Sequence, residues 1–285
     1  MNKIKETVVI SGKGGTGKTS FTASLVPFMD NAVFADCDVD APNLSILLEG
    51  ETVEEEEFSG LQRAVHNSSL CSGCGQCLAS CRFGAIKGDF SVHAPSCEGC
   101  AVCVHVCPEN AMTLEDAVVG KVYESETIYG PLVHASLIPG EETSGRLVSR
   151  VRGAARELAE ATGRTGILID GPPGIGCAVI SSVTGADSVC IVTEPTLSGL
   201  YDLKRVYSMV LRFNPAVFII INKADLSEDV CRDIEDFAAE NGVPVLMKIP
   251  FNKKIVQSLS NREIPSVAEA DFFENLGWKK ALETI

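Results

Sequence analysis

Two sets of residues in this sequence have types and spacings that do chemistry. The first is Gly12-Lys13-Gly14-Gly15-Thr16-Gly17-Lys18-Thr19, followed by Ser20. It lies between the apolar run Thr7–Ile10 and a helical pattern through Phe28, so it reads as strand, glycine-rich turn and helix. Glycines let a backbone wrap closely around a phosphate chain and turn several N–H groups toward it. The helix that follows adds its positive end. In such a loop Lys18 reaches the β- and γ-phosphates and Thr19 holds Mg²⁺. The second set is eight cysteines, Cys71-x-x-Cys74-x-x-Cys77-x-x-x-Cys81 and, 26 positions on, Cys97-x-x-Cys100-x-x-Cys103-x-x-x-Cys107. In a reducing compartment, thiols clustered in this way are metal ligands.

Lys13 sets the loop apart, because most phosphate loops have no second lysine there. This form resembles the deviant phosphate loop of the MinD/ParA/Mrp and nitrogenase-reductase superfamily. The resemblance implies ATP bound with Mg²⁺. It also implies that Lys13 reaches across a nucleotide sandwich to the partner's phosphates, which predicts a nucleotide-dependent homodimer. Further along, a strand over Ala32–Ala35 ends in Asp36-Cys37-Asp38-Val39-Asp40. By resemblance this is the first switch, with Asp36 near the Mg²⁺ water shell and Asp38 positioning the attacking water. Asp40 reads as a capping or loop residue. The strand Gly166–Asp170 ends in Asp170-Gly171-Pro172-Pro173-Gly174. There Asp170 takes the Walker B role, acting on Mg²⁺ through water. Asn222-Lys223-Ala224-Asp225 matches the guanine motif of GTPases, whereas in the MinD superfamily an Asn at this strand end contacts adenine. The deviant phosphate loop favours ATP, with Pro250 closing the base pocket. Lys13, Lys18, Asp38 and Asp170 are the expected catalytic groups of a slow ATPase. Some superfamily members are labelled amidating synthases. Amidation needs a glutamine-hydrolysing domain, for which this sequence offers no candidate.

The doubled cysteine run resembles that of bacterial two-cluster ferredoxins. Gly84-Ala85-Ile86 and Asn110-Ala111-Met112 recur at matching offsets after each fourth cysteine, in line with internal duplication. In that pattern the fourth cysteine of each run ligates the other cluster. One [4Fe-4S] cluster then takes Cys71, Cys74, Cys77 and Cys107, and the other takes Cys97, Cys100, Cys103 and Cys81. Zinc is the alternative for Cys-x-x-Cys pairs, and a disulfide scaffold is another. Arg82 follows Cys81 where a ferredoxin has proline. His93 and His105 read as surface or packing residues. Cys37, Cys190 and Cys231 read as small apolar side chains. Cys177 stands seven residues after Asp170, the offset of a cluster ligand in nitrogenase reductase. The companion stretch Pro139–Arg146 carries Thr143 at the other ligand's position. Either two Cys177 thiols meet on a dimer axis and bind metal, or Cys177 is a packing residue.

These sites need a scaffold. Strands and helices alternate from Gly166 onward, which predicts an α/β P-loop fold with a mostly parallel sheet and helices on both faces. Residues 1–59 and 118–285 form this domain in our reading. Residues 60–117 form an inserted small α+β domain of ferredoxin type. Glu54–Glu57 reads as a solvated linker, and residues ~117–130, which contain Val118–Tyr123, as a hairpin returning to the main sheet. The resemblance covers nearly the whole chain and matches MinD-superfamily ATPases with an inserted ferredoxin domain. The 45% hydrophobic content suits a full globular core. A net charge of −14 has the wrong sign for nucleic acid or an anionic membrane. No apolar run is long enough to span a bilayer. The N-terminus enters the first strand without a leader, which points to the cytoplasm. The tail, with Trp278, Ala281, Leu282 and Ile285 at helical spacing, is expected to dock on its own domain rather than on a membrane. Three functions follow: an ATP-switched electron-transfer protein, an Mrp-like cluster or metallocofactor assembly factor, and a MinD/ParA-like spatial organiser with structural clusters. The expected partners are a second copy and an unknown redox or metallocofactor protein.

Overall fold

The computed structural model describes residues 3–141, 144–282 and 284. The chain divides into two compact units. The first comprises Met1–Glu55, Val122–Ser136 and Ser144–Ile285; the second comprises Glu56–Lys121 and Leu137–Thr143.

The strands are β1 (Lys5–Ser11), β2 (Ala32–Asp36), β3 (Glu51–His66), β4 (Met112–Thr127), β5 (Gly130–Leu137), β6 (Gly166–Pro173), β7 (Ser188–Thr193), β8 (Ala216–Asn222) and β9 (Val245–Ile249). They form one nine-stranded sheet in the order β3-β4-β5-β2-β6-β1-β7-β8-β9. From β5 to β9 every neighbouring pair is parallel. Strands such as β2 and β7 are buried at every residue, as expected of a parallel sheet covered on both faces. The first unit's helices are α1 (Lys18–Leu25), α2 (Leu44–Leu48), α5 (Ser144–Thr162), α6 (Cys177–Val183), α7 (Leu197–Val210), α8 (Glu228–Glu240), α9 (Lys253–Ser260), α10 (Pro265–Ala268), α11 (Ala270–Asn275) and α12 (Trp278–Leu282). The second unit holds α3 (Gln76–Ser80) and α4 (Val102–His105).

One expectation about the connecting chain is corrected. Glu54–Glu57 is exposed, but it lies inside β3 and is not a linker. β3 is the edge of the sheet, where charged side chains are compatible with backbone pairing on one side. The hairpin expected over residues ~117–130 is present: Val118–Tyr123 lies in β4, and the chain reverses at Ile128–Tyr129 into the neighbouring β5. The second unit also gains the segment after β5. There Ile138 N–H donates to Val119 O (2.9 Å), and Arg63 pairs with Glu141 (2.6 Å).

The tail packs into the main core. Trp278 is buried, edge-on to Phe21 (5.4 Å) and Phe273 (4.8 Å). Glu142, Thr143, Glu283 and Ile285 lie outside the described residues. Among the described residues no helix is long and apolar enough to cross a membrane.

Candidate nucleotide and cysteine sites

The loop Gly12–Thr19 joins β1 to α1, and the C-terminal ends of β2, β6, β7 and β8 surround it. That is the crevice where open α/β sheets bind ligands. Gly17 has φ 93°, and a Cβ there would stand 2.2 Å from Asn222 Nδ2. Only glycine lets the loop turn against β8 at this point. Asn222 in turn donates from Nδ2 to Thr16 O (2.7 Å), which fixes the loop.

Asp170 is the electrostatic centre. It is fully buried within β6, three residues before the strand ends, and receives Lys18 Nζ (2.9 Å), Thr19 Oγ1 (2.7 Å) and Thr22 Oγ1 (2.8 Å). Lys18 also lies 3.6 Å from Asp38. Burial pushes the Lys18 ammonium down, but Asp170 and then Asp38 outweigh this and hold it above the ordinary lysine value. Burial raises Asp38, which Lys18 opposes and Asp170 reinforces.

Asp36 lies beside Asp170 in the sheet. It is fully buried, and its carboxylate accepts the backbone N–H groups of Asp38 (3.1 Å) and Leu44 (2.9 Å). It faces Asp170 in register across β2 and β6. Burial first, and then that like charge, lift it to about 7. Its contacts are those of a residue that shapes the Asp38 loop. Asp38 and Asp40 line the cleft of about 710 Å³ above Lys18 and Thr19. Pro172, Pro173 and Cys177 line its far side.

A neighbouring cleft of about 250 Å³ runs from Gly15, Gly17 and Ser20 to Asn222, Pro250 and Phe251, an apolar slot suited to a base. Asp225 accepts Phe251 N–H (2.6 Å), so the carboxylate that would read guanine serves to hold the slot's rim.

Lys13 points to its own chain's β7–α7 loop. Its Nζ pairs with Glu194 Oε1 (2.7 Å) and donates to Ser198 (2.9 Å) and Thr196 (3.3 Å). Lys223 Nζ takes the other Glu194 oxygen (3.0 Å) and donates to Gly15 O (3.2 Å). Burial raises Glu194, but the two lysines outweigh it and hold the carboxylate low. Glu194 was missed in the sequence, although a charged residue ending a buried strand was a usable signal.

Cys177 is exposed at the start of α6 and lies close to Gly145. Cys37 and Cys190 are fully buried in the sheet, and burial pushes the Cys190 thiol to about 12.

In the second unit the eight cysteines divide into two groups. Cys71, Cys74, Cys77 and Cys107 line one hollow, and Cys81, Cys97, Cys100 and Cys103 line another. The backbone repeats with them. Positive φ recurs at Gly73 and Gly99 (74° and 62°), Gly75 and Ala101 (74° and 63°), and Gly84 and Asn110 (61° and 50°). Each pair is 26 residues apart. Backbone N–H groups face the thiols: Gly73 N–H donates to Cys71 Sγ (3.4 Å) and Ala111 N–H to Cys107 Sγ (3.2 Å) at these turns, and Ala64 N–H of β3 donates to Cys97 Sγ (3.4 Å). Burial raises Cys81, but the N–H groups of Ala85, Phe83, Ile86 and Gly84 outweigh it and favour the thiolate. All twelve cysteines are free thiols. Among the described residues no three Cys, His, Asp or Glu side chains converge as they would on a single ion. His93 and His105 are exposed, as expected. His66, overlooked in the sequence, lines the first hollow.

The CobQ/CobB/MinD/ParA nucleotide binding domain matches residues 7–265. An uncharacterized protein of Methanocaldococcus jannaschii is 34% identical over 228 residues, 79% of this chain and 80% of that protein. Pyruvate synthase subunit PorD of the same organism is 34% identical over 55 residues, 18% of this chain and 64% of PorD. The septum site-determining protein MinD of Pyrococcus horikoshii, solved with Mg-ADP, superposes with a TM-score of 0.55 at 18% identity, over 94% of this chain and 89% of that one. With the loop, Asp170 and the parallel sheet arranged as described, the chain belongs to the CobQ/CobB/MinD/ParA family of nucleotide-binding proteins.

Proposed function

We propose that the protein is a nucleotide-switched ATPase, working as a homodimer, whose second unit holds two [4Fe-4S] clusters and couples ATP turnover to electron transfer. In this reading Lys18 and Thr19 bind the phosphates and Mg²⁺, and Asp170 orients them. Asp38 positions the attacking water, and Asp36 sets the loop that carries Asp38. The Mg-ADP in the related MinD and the engagement of Asp225 both favour an adenine nucleotide. Lys13 leaves Glu194 to reach the partner's phosphates.

One observation carries the redox half: each of the two four-thiol sets assigned by the ferredoxin pattern lines its own hollow. A single zinc ion needs its ligands within about 2.3 Å of one point, whereas a cubane is held at its corners. The donor set fits, because thiols facing backbone N–H groups are the environment that cluster sulfurs use. The buried apolar cluster between the hollows is small, consisting of Ala64, Cys77, Ile86, Cys103 and Met112, and two of those five are ligand candidates. A core this size needs a staple, and a metal group supplies one. Bound clusters supply one-electron chemistry, and the chain's own residues fix their sites.

The likeness to MinD favours a second reading over electron transfer: a MinD/ParA-like spatial organiser whose clusters are structural. Delivery of clusters to an acceptor, as in Mrp-type relatives, is the third. Anaerobic purification with iron counting, followed by EPR with dithionite and nucleotide, separates them. Two clusters that stay bound, reduce and pass electrons on to co-purifying protein in an ATP-dependent way support the proposal. Clusters that never turn over, with nucleotide-dependent localisation in the cell, support the organiser. Transfer of labile iron to an apo-acceptor supports the carrier.

A further inference from the structure

The two hollows of the second unit are related by the 26-residue repeat, so their linings can be compared position by position. Cysteines match cysteines, but other positions differ. His66 in the first hollow corresponds to Val92 in the second, and Phe90 corresponds to Ala64. Each hollow has one exposed carboxylate at its edge, Glu109 in the first and Glu98 in the second, so their effects cancel to first order. Arg82 is exposed beside Cys81, where water and salt screen it. The unbalanced difference is the imidazole.

His66 Nε2 is buried and has no hydrogen-bond partner in the protein. Its ring is held beside Phe90, with centroids 5.9 Å apart. A buried polar group without a partner is unfavourable, so such an orphan calls for an acceptor. The hollow it lines is the one formed by Cys71, Cys74, Cys77 and Cys107. We infer that His66, in the tautomer with hydrogen on Nε2, donates to the sulfur of a cluster held by those four cysteines and gives it a higher reduction potential than the other. The inference rests on the two-cluster reading above. Its cause is electrostatic. Adding one electron makes the cluster more negative, and a hydrogen bond to its sulfur stabilises that form more than the oxidised one. Val92 offers no donor at the corresponding place. The two sites are therefore unequal, and an electron entering the unit rests at the His66 site. His66 is a positioning and tuning residue, not a ligand.

The test is a dithionite titration of the anaerobically purified full chain, followed by EPR, in which each cluster accepts one electron. Wild type should show two midpoints. His66→Val should lower the higher one by about tenfold in the reduction equilibrium constant, equivalent to about 59 mV for one electron, with iron content unchanged. His66→Gln keeps an N–H donor and should retain most of the wild-type value. Val92→His should raise the lower midpoint and tests the same rule without disturbing the first site. Labelling histidine with ¹⁵N should give a nitrogen coupling on the higher-potential signal that His66→Val removes. Full iron content with both midpoints unmoved in His66→Val and Val92→His overturns this inference and leaves the two-cluster reading standing. Wild-type protein without iron overturns both.

Discussion

At the level of single residues, Lys13 and Glu194 carry a conflict. The lysine that the proposed dimer needs is bound at 2.7 Å to a carboxylate of its own chain. Lys13→Ala should abolish nucleotide-dependent dimerisation while leaving ADP affinity within about threefold, measured by light scattering and calorimetry. Glu194→Gln removes the competing charge. Its nucleotide-dependent dimer should form at lower protein concentration, up to about tenfold, which corresponds to about 1.4 kcal/mol. Asp36 gives a pH signature. Its folded value of about 7 lies above its unfolded value of 3.8, so the folded state holds the extra proton between them. Stability of the ligand-free first unit should therefore fall as pH rises from about 4 to about 7. Asp36→Asn should flatten that slope in thermal melts. The phosphate loop and Asp170 were legible because glycine and a strand-terminal carboxylate are local signals. Glu194 follows β7 with a signal of the same kind and was overlooked, whereas His66 was not legible, because it meets its hollow only after the duplicated unit folds.

Among the elements, the parallel strands were readable from continuous apolar runs. The two long strands β3 and β4 were not. Their length comes from pairing with each other, and the glutamates of β3 obscure a strand whose stability lies in the backbone ladder. The helical tail was readable from spacing, and its burial carries a prediction. Trp278 fills the space between Phe21 of the helix after the phosphate loop and Phe273. Trp278→Ala should cost about 3–5 kcal/mol in denaturant unfolding. Because Phe21 and Phe273 also line the base slot, ADP affinity should fall as well. An unchanged affinity in a folded variant would separate the tail from the nucleotide site.

For the whole molecule, the two units should differ in what holds them. The first has a large apolar core, and the second a core partly made of thiols. On the two-cluster reading, chelation or oxidative loss of iron should therefore raise hydrogen exchange across Glu56–Lys121 while ADP binding to the first unit persists. Sheet order has one more consequence, in the time taken to make the chain. β1 pairs only with β6 and β7, so the phosphate loop at its end lacks a frame until Thr193 has been synthesised. The eight cysteines are complete by Cys107, and the hollows they line are complete by Leu114. At about 5–20 residues per second, several seconds separate the two events on the ribosome. On the two-cluster reading, the thiols are thus presented to a source of iron before the nucleotide pocket exists, and metal loading would not have to wait for ATP.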